Sequence, residues 1–258
     1  MRPEGECGIC GKVKPLTREH MPPRAAFNQD RVLLAKIDKE RSRAGVKWKG
    51  IEKAGGHFEY VLCEDCNGKT GRWYGTEYVP FIKQAALYAV SEYLNKKITV
   101  NFRHIFPLRV AKEALAIICS SCGPGVTKQD TELRKLILGE KQRGLPSHLR
   151  LYAYLRGHKG GRSSGVAGIL NTQRGTSRVV AEFSWWPIGW LLTFQDEAGL
   201  NECDVTNWFQ YDCKDRHNLC LSLNCHYATT AYPLDFRSPE QVFKEAAEQK
   251  AQMRSLAL

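Results

Sequence analysis

The sequence predicts an α+β protein, and three observations carry that reading. Two Cys-x-x-Cys knuckles, Cys7-Gly8-Ile9-Cys10 and Cys63-Glu64-Asp65-Cys66, frame the N-terminal region. Apolar residues between Pro80 and Cys119 fall largely at helical spacing, as with Phe81, Ala85 and Tyr88. From Leu149 onward the spacing changes to two, the period of a strand. The expected architecture is a metal-stapled N-terminal unit, then helices, then a mainly antiparallel sheet region closed by a C-terminal helix.

The knuckles come first in that order because they fix the N-terminal unit. A two-residue gap lets both sulfurs of a pair face one ion, so Cys7, Cys10, Cys63 and Cys66 can close a tetrahedral structural zinc site. Such a site pins the segment carrying Glu19 and His20 against Asn67, the residue after Cys66. The three side chains suit metal-assisted hydrolysis of a phosphodiester. Histidine titrates near neutral pH and can deprotonate a water. Glu19 and Asn67 offer oxygen ligands, which suit Mg²⁺ or Mn²⁺ over zinc, and a divalent ion stabilises charge on the phosphate and the departing oxygen. Consecutive strand residues face opposite ways, so Glu19 and His20 reach one ion only from an irregular strand end, which Pro22-Pro23 favours.

The string CGICGKVKPLTREHMPP…VLCEDCNGKTG resembles the core of HNH (ββα-metal) endonucleases, in the zinc-stapled, endonuclease VII-like variety. The resemblance covers roughly residues 5 to 80 and rests on the order Cys-x-x-Cys, acid-His, Cys-x-x-Cys-Asn. It implies that the four cysteines hold structural zinc, that His20 is the general base, and that Glu19 and Asn67 ligate the catalytic ion. Two departures stand out: Glu19 occupies a place where the family often has Asp, and the stretch from Phe27 to His57 is longer than a compact core needs. A non-catalytic zinc-stapled module that binds nucleic acid is the rival from another class. An HNH domain fused to an unfamiliar second region is similar to restriction and anti-phage effector nucleases, which implies DNA, chiefly double-stranded, as substrate. A homodimer or a regulatory partner is compatible with that analogy.

Composition narrows the class. Hydrophobic residues make up 43% of 258, with six Trp, which argues for packed cores over disorder. No apolar run approaches the roughly 18 residues of a membrane span, and a cytoplasmic, membrane-free protein is expected. Ten cysteines then read as metal ligands or free thiols. The net charge of +11 predicts attraction to a polyanion. It is concentrated: residues 31–53 hold eight Lys or Arg against three acids, and residues 128–178 hold eleven against three. Arg41, Arg43, Lys47 and Lys49 in the first stretch, Lys69 and Arg72 on the following helix, and Arg150, Arg156, Lys159 and Arg162 in the second are the candidate phosphate contacts.

Along the chain, Leu16 to Ala26 should form the first strand and turn, and His57 to Leu62 the second strand, with Phe58, Tyr60 and Leu62 on one face. A helix should run from Asn67 to about Tyr74. The insert from Asn28 to Gly56 reads as a helix over Val32, Leu33, Leu34 and Ile37, then a DNA-contacting loop. His57 and Glu77 are spare candidates for a metal ligand. A functional boundary is placed near Tyr78 to Phe81, dividing a 1–80 nuclease core from an 81–258 recognition or regulatory region that packs with it as one unit. Pro80–Asn95 and Leu108–Cys119 read as helices, the second closed by Gly123-Pro124, with a strand at Ile98–Phe102 between them.

In the period-two region, Leu149, Leu151, Ala153 and Leu155 should line a buried face and Arg150, Tyr152, Tyr154 and Arg156 a polar-aromatic one. Further strands are expected at Val166–Leu170, Arg178–Trp185, Ile188–Phe194 and Leu219–Cys225. Ser238, Pro239 and Gln241 spell a capping box that opens a last helix. Cys119-Ser-Ser-Cys122 and the irregularly spaced Cys203, Cys213, Cys220 and Cys225 read as thiols before a second metal site. Phe183 to Trp190 reads as core before stacking platform, and Gly157–Gly165 as a β-hairpin loop.

Overall fold

The computed structural model describes residues 2–34, 50–171, 176–194, 200–230 and 232–255. The architecture is α+β, as expected. A three-stranded sheet, ordered β1 (Glu4–Glu6), β2 (Val13–His20) and β5 (Phe58–Cys63), opens the chain. β2 and β5 are antiparallel, with Leu16 opposite Cys63 and His20 opposite Phe58.

α1 (Glu64–Thr70) leaves β5 directly, with extended Cys63 as its N-cap. Glu64 and Asp65 lie in the first turn, where the helix dipole favours acids, and they pair with Arg2 at 2.8 Å and Lys14 at 2.6 Å. The helix thus begins earlier than Asn67. It then continues through a π-helical turn (Gly71–Gly75) into α2 (Thr76–Ala86), across three glycines that favour a break. Tertiary burial outweighs that preference, because Tyr74, Tyr78, Phe81 and Ile82 all lie on the buried side. The boundary set near residue 80 falls inside this continuous helix.

The insert differs from its expected form. β3 (Val32–Leu34) pairs with β4 (Ile51–Lys53), so Val32, Leu33 and Leu34 are strand where helix was expected. Their exposure alternates, with Leu33 facing out, which is a strand period. Residues 35–49 lie outside the described residues. Asn28, fully buried, closes the base of the insert. It donates from Nδ2 to the carbonyls of Pro22 (2.7 Å) and His57 (2.8 Å) and accepts from His57 N (2.6 Å). Gly56 (φ +92°) is required beside it, since a Cβ there would lie 2.2 Å from the Asn28 carbonyl oxygen.

The helix expected to reach Asn95 stops at Ala86, and Trp186 Nε1 holds the Ala89 carbonyl at 2.9 Å as the chain turns away. β6 (Lys97–Ile105) follows, then α3 (Pro107–Cys122), with Pro107 at its first position and Gly123 (φ +74°) ending it. Buried residues surround α3 on all sides, so it forms the axis of the molecule. α4 (Gly125–Gln129) and α5 (Thr131–Leu138) come next, the latter N-capped by Asp130 Oδ1.

The larger sheet, among the described residues, runs β6, β12 (His217–His226), β7 (Arg150–Arg156), β10 (Ile188–Thr193), β9 (Thr176–Trp185), β8 (Gly161–Asn171). It is antiparallel except where β12 lies parallel to β7, Cys225 beside Leu155; β11 (Cys203–Asp204) also pairs with β7. The sheet is thus mainly antiparallel, as expected, with this one parallel pairing. β7 and β8 are not paired with each other, so Gly157–Gly160 is a connection and not a hairpin loop.

β7 is covered on both faces. Leu151, Ala153 and Leu155 enter the main core, while Tyr152 and Tyr154 pack with Leu191 and Ala228, flanked by Leu234 and Phe236. The polar-aromatic face of the sequence reading is therefore interior. One main core runs from the knuckles through α2 and α3 to the large sheet. Trp190 Nε1 donates to Tyr78 Oη at 2.8 Å within it, and Phe81 stacks on Phe102 at 4.6 Å. α6 (Pro239–Ser255) starts with the reciprocal Ser238–Gln241 bonds of a capping box. Among the described residues no helix is long and apolar enough to cross a membrane.

Candidate functional site

The two knuckles meet. The sulfurs of Cys7, Cys10, Cys63 and Cys66 all lie within 4.8 Å of one another. Cys10 Sγ and Cys63 Sγ are 3.9 Å apart, and the edge of a tetrahedron with zinc–sulfur arms of about 2.3 Å is about 3.8 Å. The site fits a tetrahedral ion such as zinc. Backbone bonds shape it beforehand: Gly11 N donates to the Cys7 carbonyl at 2.9 Å, and Cys63 N approaches Cys7 Sγ at 3.4 Å. Hydrogen bonding from Cys66 is the main reason the Cys7 thiol is pushed well below the ordinary thiol range, which favours the thiolate that a metal ligand must be. Thr127 of α4 donates to the Gly8 carbonyl at 2.8 Å, which ties the knuckle to the rest of the chain.

Asn67 stands in α1, one residue beyond Cys66. Its Nδ2 donates to Thr17 Oγ1 (3.0 Å) and to the Arg18 carbonyl (3.2 Å), opposite the bulge that Val61 makes in β5. The amide oxygen is the end left for an ion. The cysteine cluster, the start of α1 and the strand residues Thr17 and Arg18, just before the acid-His pair, are thus brought to one strand–helix junction.

Glu19 and His20 follow that bulge. Pairing stays regular through His20, contrary to the expected irregular strand end, so the two side chains project to opposite faces. His20 shares its side with Arg18, both against Phe58: the imidazole at 5.5 Å between centroids, the guanidinium 4.2 Å above the ring. A hydrogen bond with the Gly55 backbone orients the imidazole, while burial holds its pKa below the ordinary value. The ring is neutral near pH 7, the form a base requires. Glu19 turns inward, and burial raises its carboxyl to about 8. Its charge is felt by Glu113 of α3, which is fully buried.

The remaining candidates divide. Lys69 and Arg72 are exposed on the helix that carries Asn67. Arg41, Arg43, Lys47 and Lys49 lie outside the described residues. Lys159 is exposed, and Arg150 is half-buried, 3.7 Å from Asp204. Arg156 and Arg162 are corrected: both are buried, so neither can touch a phosphate backbone. Arg162 Nη2 binds Glu182 at 2.6 Å, and Arg156 Nη1 binds Ser184 Oγ at 2.9 Å. Arg162 also donates to the carbonyls of Thr230 (3.1 Å) and Asp235 (2.8 Å), a covering from far along the chain that the sequence period did not reveal. His57 is a packed side chain, stacked on Trp185 at 5.9 Å, and Glu77 is half-buried on α2.

Cys119 and Cys122 sit in α3, and burial raises both thiols, the second to about 11. Among the described residues the knuckle cluster is the one group of three or more His, Cys, Asp or Glu ligands close enough for a single ion. Asn28 and Glu113 were missed in the sequence. Glu113 had a signal: with Lys112 it interrupts an otherwise apolar run from Val110 to Ile118.

Compared with known proteins, the chain matches no family model, no curated protein and no solved structure.

Proposed function

We propose that this protein is a metal-dependent endonuclease of the zinc-stapled HNH kind, hydrolysing DNA phosphodiester bonds. One observation carries the reading. The four-cysteine cluster sets Asn67 against the carbonyl of Arg18, next to an oriented, neutral His20 and a desolvated Glu19. A knuckle serving only to bind nucleic acid needs neither of the last two.

Glu19 and Asn67 form an all-oxygen donor set, which fits Mg²⁺ or Mn²⁺ and disfavours zinc. When bound, such an ion stabilises negative charge on the phosphate and the leaving oxygen. His20 takes a proton from water as the water oxygen bonds to phosphorus; the bond from phosphorus to the 3′ oxygen breaks, and that oxygen leaves as an alkoxide that takes a proton from a second, solvent water. In-line attack puts nucleophile and leaving group on opposite sides of phosphorus. Glu19 and His20, on opposite faces of one strand, suit a phosphate lying across its end. The exposed Lys69 and Arg72 would hold the flanking backbone.

The test is incubation of supercoiled plasmid with the zinc-loaded protein, with Mg²⁺, Mn²⁺ or EDTA. Nicked and linear products bearing 5′-phosphate ends, present with the ion and lost with the chelator, are expected. Binding without cleavage in either ion would make the protein a nucleic-acid-binding module instead.

A further inference from the structure

We infer that Arg156 and His158, at the end of β7, form the floor of a second site, one that takes the phosphate monoester of a small molecule. Arg156 is 4% exposed and makes no ion pair among the described residues. Its Nη1 donates to the neutral Ser184 hydroxyl at 2.9 Å, and its Nε is buried with no partner. Glu182, the carboxylate on the same sheet face, is taken up by Tyr154, Arg162 and the Leu234 N–H. Two guanidinium charges thus share one carboxylate in the interior, and a buried charge without its own counter-charge is costly.

The unpaired atoms identify the chemistry of the ligand. Arg156 Nη2 lies 3.1 Å from His158 Nε2. A guanidinium only donates, so Nε2 accepts and the proton of the neutral ring sits on Nδ1. That Nδ1 is also buried without a partner. Both orphans are therefore N–H donors, which call for an acceptor, and the excess positive charge calls for an anion. Through the 3.1 Å bond and the widths of the two planar groups, the donors are no more than about 8 Å apart. A phosphate with hydrogen bonds of about 2.9 Å on either side spans that distance.

The connection after β7 leaves an approach. Gly160 is exposed, and a Cβ on it would lie 3.5 Å from Arg156 Nη2, so glycine there keeps a side chain from standing over the guanidinium. The Tyr227 ring, 6.2 Å from the His158 ring, forms a wall. Exposed Lys159 adds a second positive charge at the rim. A phosphate monoester carries about −1.5 to −2 near pH 7 and matches both cations, where a carboxylate matches one. The enclosure of Arg156 keeps out a duplex backbone and admits a terminal phosphate.

The experiment is equilibrium dialysis of zinc-loaded full-length protein with radiolabelled inorganic phosphate at fixed ionic strength. Glycerol 3-phosphate and acetate serve as competitors, and the thermal midpoint is followed in parallel. Saturable binding of about one phosphate per chain is expected, displaced by glycerol 3-phosphate and not by equal acetate, with a midpoint that rises to match. Arg156→Met should weaken binding at least about tenfold and, without phosphate, melt no lower than wild type, since an uncompensated charge has left the interior. If Arg156→Met fails to fold, His158→Phe and the surface change Lys159→Ala decide, and both must weaken binding. A lowered midpoint with unchanged phosphate binding marks a structural arginine and overturns the site, as does a wild type that binds no phosphate saturably. Displacement by equal acetate overturns the choice of phosphate, and no displacement by glycerol 3-phosphate overturns the monoester.

Discussion

Asn67 Nδ2 donates to the carbonyl of Arg18 at 3.2 Å, which locks the first turn of α1 onto β2 one residue before Glu19. The bond spans nearly fifty residues of sequence, and it exists because Cys66 and Cys63 are drawn to the same point as Cys7 and Cys10. The cysteine cluster therefore sets the register of the candidate site, and in the proposed reading its part is structural.

Replacing Asn67 with Ala should lower cleavage while zinc content stays at wild-type level, because the side chain touches β2 and the proposed ion but not the cluster. Raised Mn²⁺ should restore part of the rate, since a lost ligand is a loss of affinity. Full activity in ordinary Mg²⁺ would exclude Asn67 from the ion site.

Cys63→Ser should act through folding. Removing one of four ligands gives up most of the binding free energy that a structural zinc contributes to the folded state. About one zinc per chain is expected in the wild type by native mass spectrometry, and the variant should lose it together with the cooperative melt of the β2–α1 unit. A wild type that is folded and free of zinc contradicts the account.

Acid should weaken the large sheet through His158. Its Nε2 lies 3.1 Å from Arg156 Nη2 and must accept from it, so the ring is neutral, and burial with the charges of Arg156 and Arg162 lowers its pKa to about 4. The unfolded value is about 6.5. A depressed pKa means the unfolded chain binds the extra proton first, so the contribution is complete above about 6.5 and is lost as pH falls toward 4. The urea midpoint of wild type should drop over that window, and His158→Gln should flatten the drop. Equal slopes for both proteins would remove His158 from the explanation.

Glu182→Ala should destabilise by about 3–5 kcal/mol, because it leaves Arg162 buried without its counter-charge. The pair is almost wholly enclosed, with side-chain exposures of 3% and 0%. Tyr154 Oη and Leu234 N also bind that carboxylate. DNA affinity of the folded fraction should not change. Equilibrium unfolding in urea measures the first effect and a salt titration of DNA binding the second. A weakened, salt-insensitive DNA complex without loss of stability would return Arg162 to the surface.

Much of this was legible in the sequence where local pattern decides. The cysteine spacing predicted the cluster, because each Cys-x-x-Cys pair is a local signature of shared ligation, and Ser238, Pro239 and Gln241 predicted the cap of α6, which depends on neighbours within a few residues. β9 and β10 followed from alternation within the chain. What failed depends on distant covering. Arg156 and Arg162 have the spacing of an exposed face, but distant partners hold them inside, Ser184 for the first and the carbonyls of Thr230 and Asp235 for the second. The short run Val32–Leu34 fits either period, and its pairing with β4 decides for strand. Glu113 belongs to no motif and had only its interruption of an apolar run as a signal; its packing against Gly75 arises from α3, far along the chain, lying against that turn.

The rate of plasmid cleavage by His20→Ala, set against wild type in Mn²⁺, tests the central claim most directly. His20 lies outside the cysteine cluster, so the variant should keep its zinc, fold and bind DNA as wild type does. The account predicts cleavage slower by about 10²–10⁴. A folded His20→Ala protein that cuts within tenfold of the wild-type rate would contradict it.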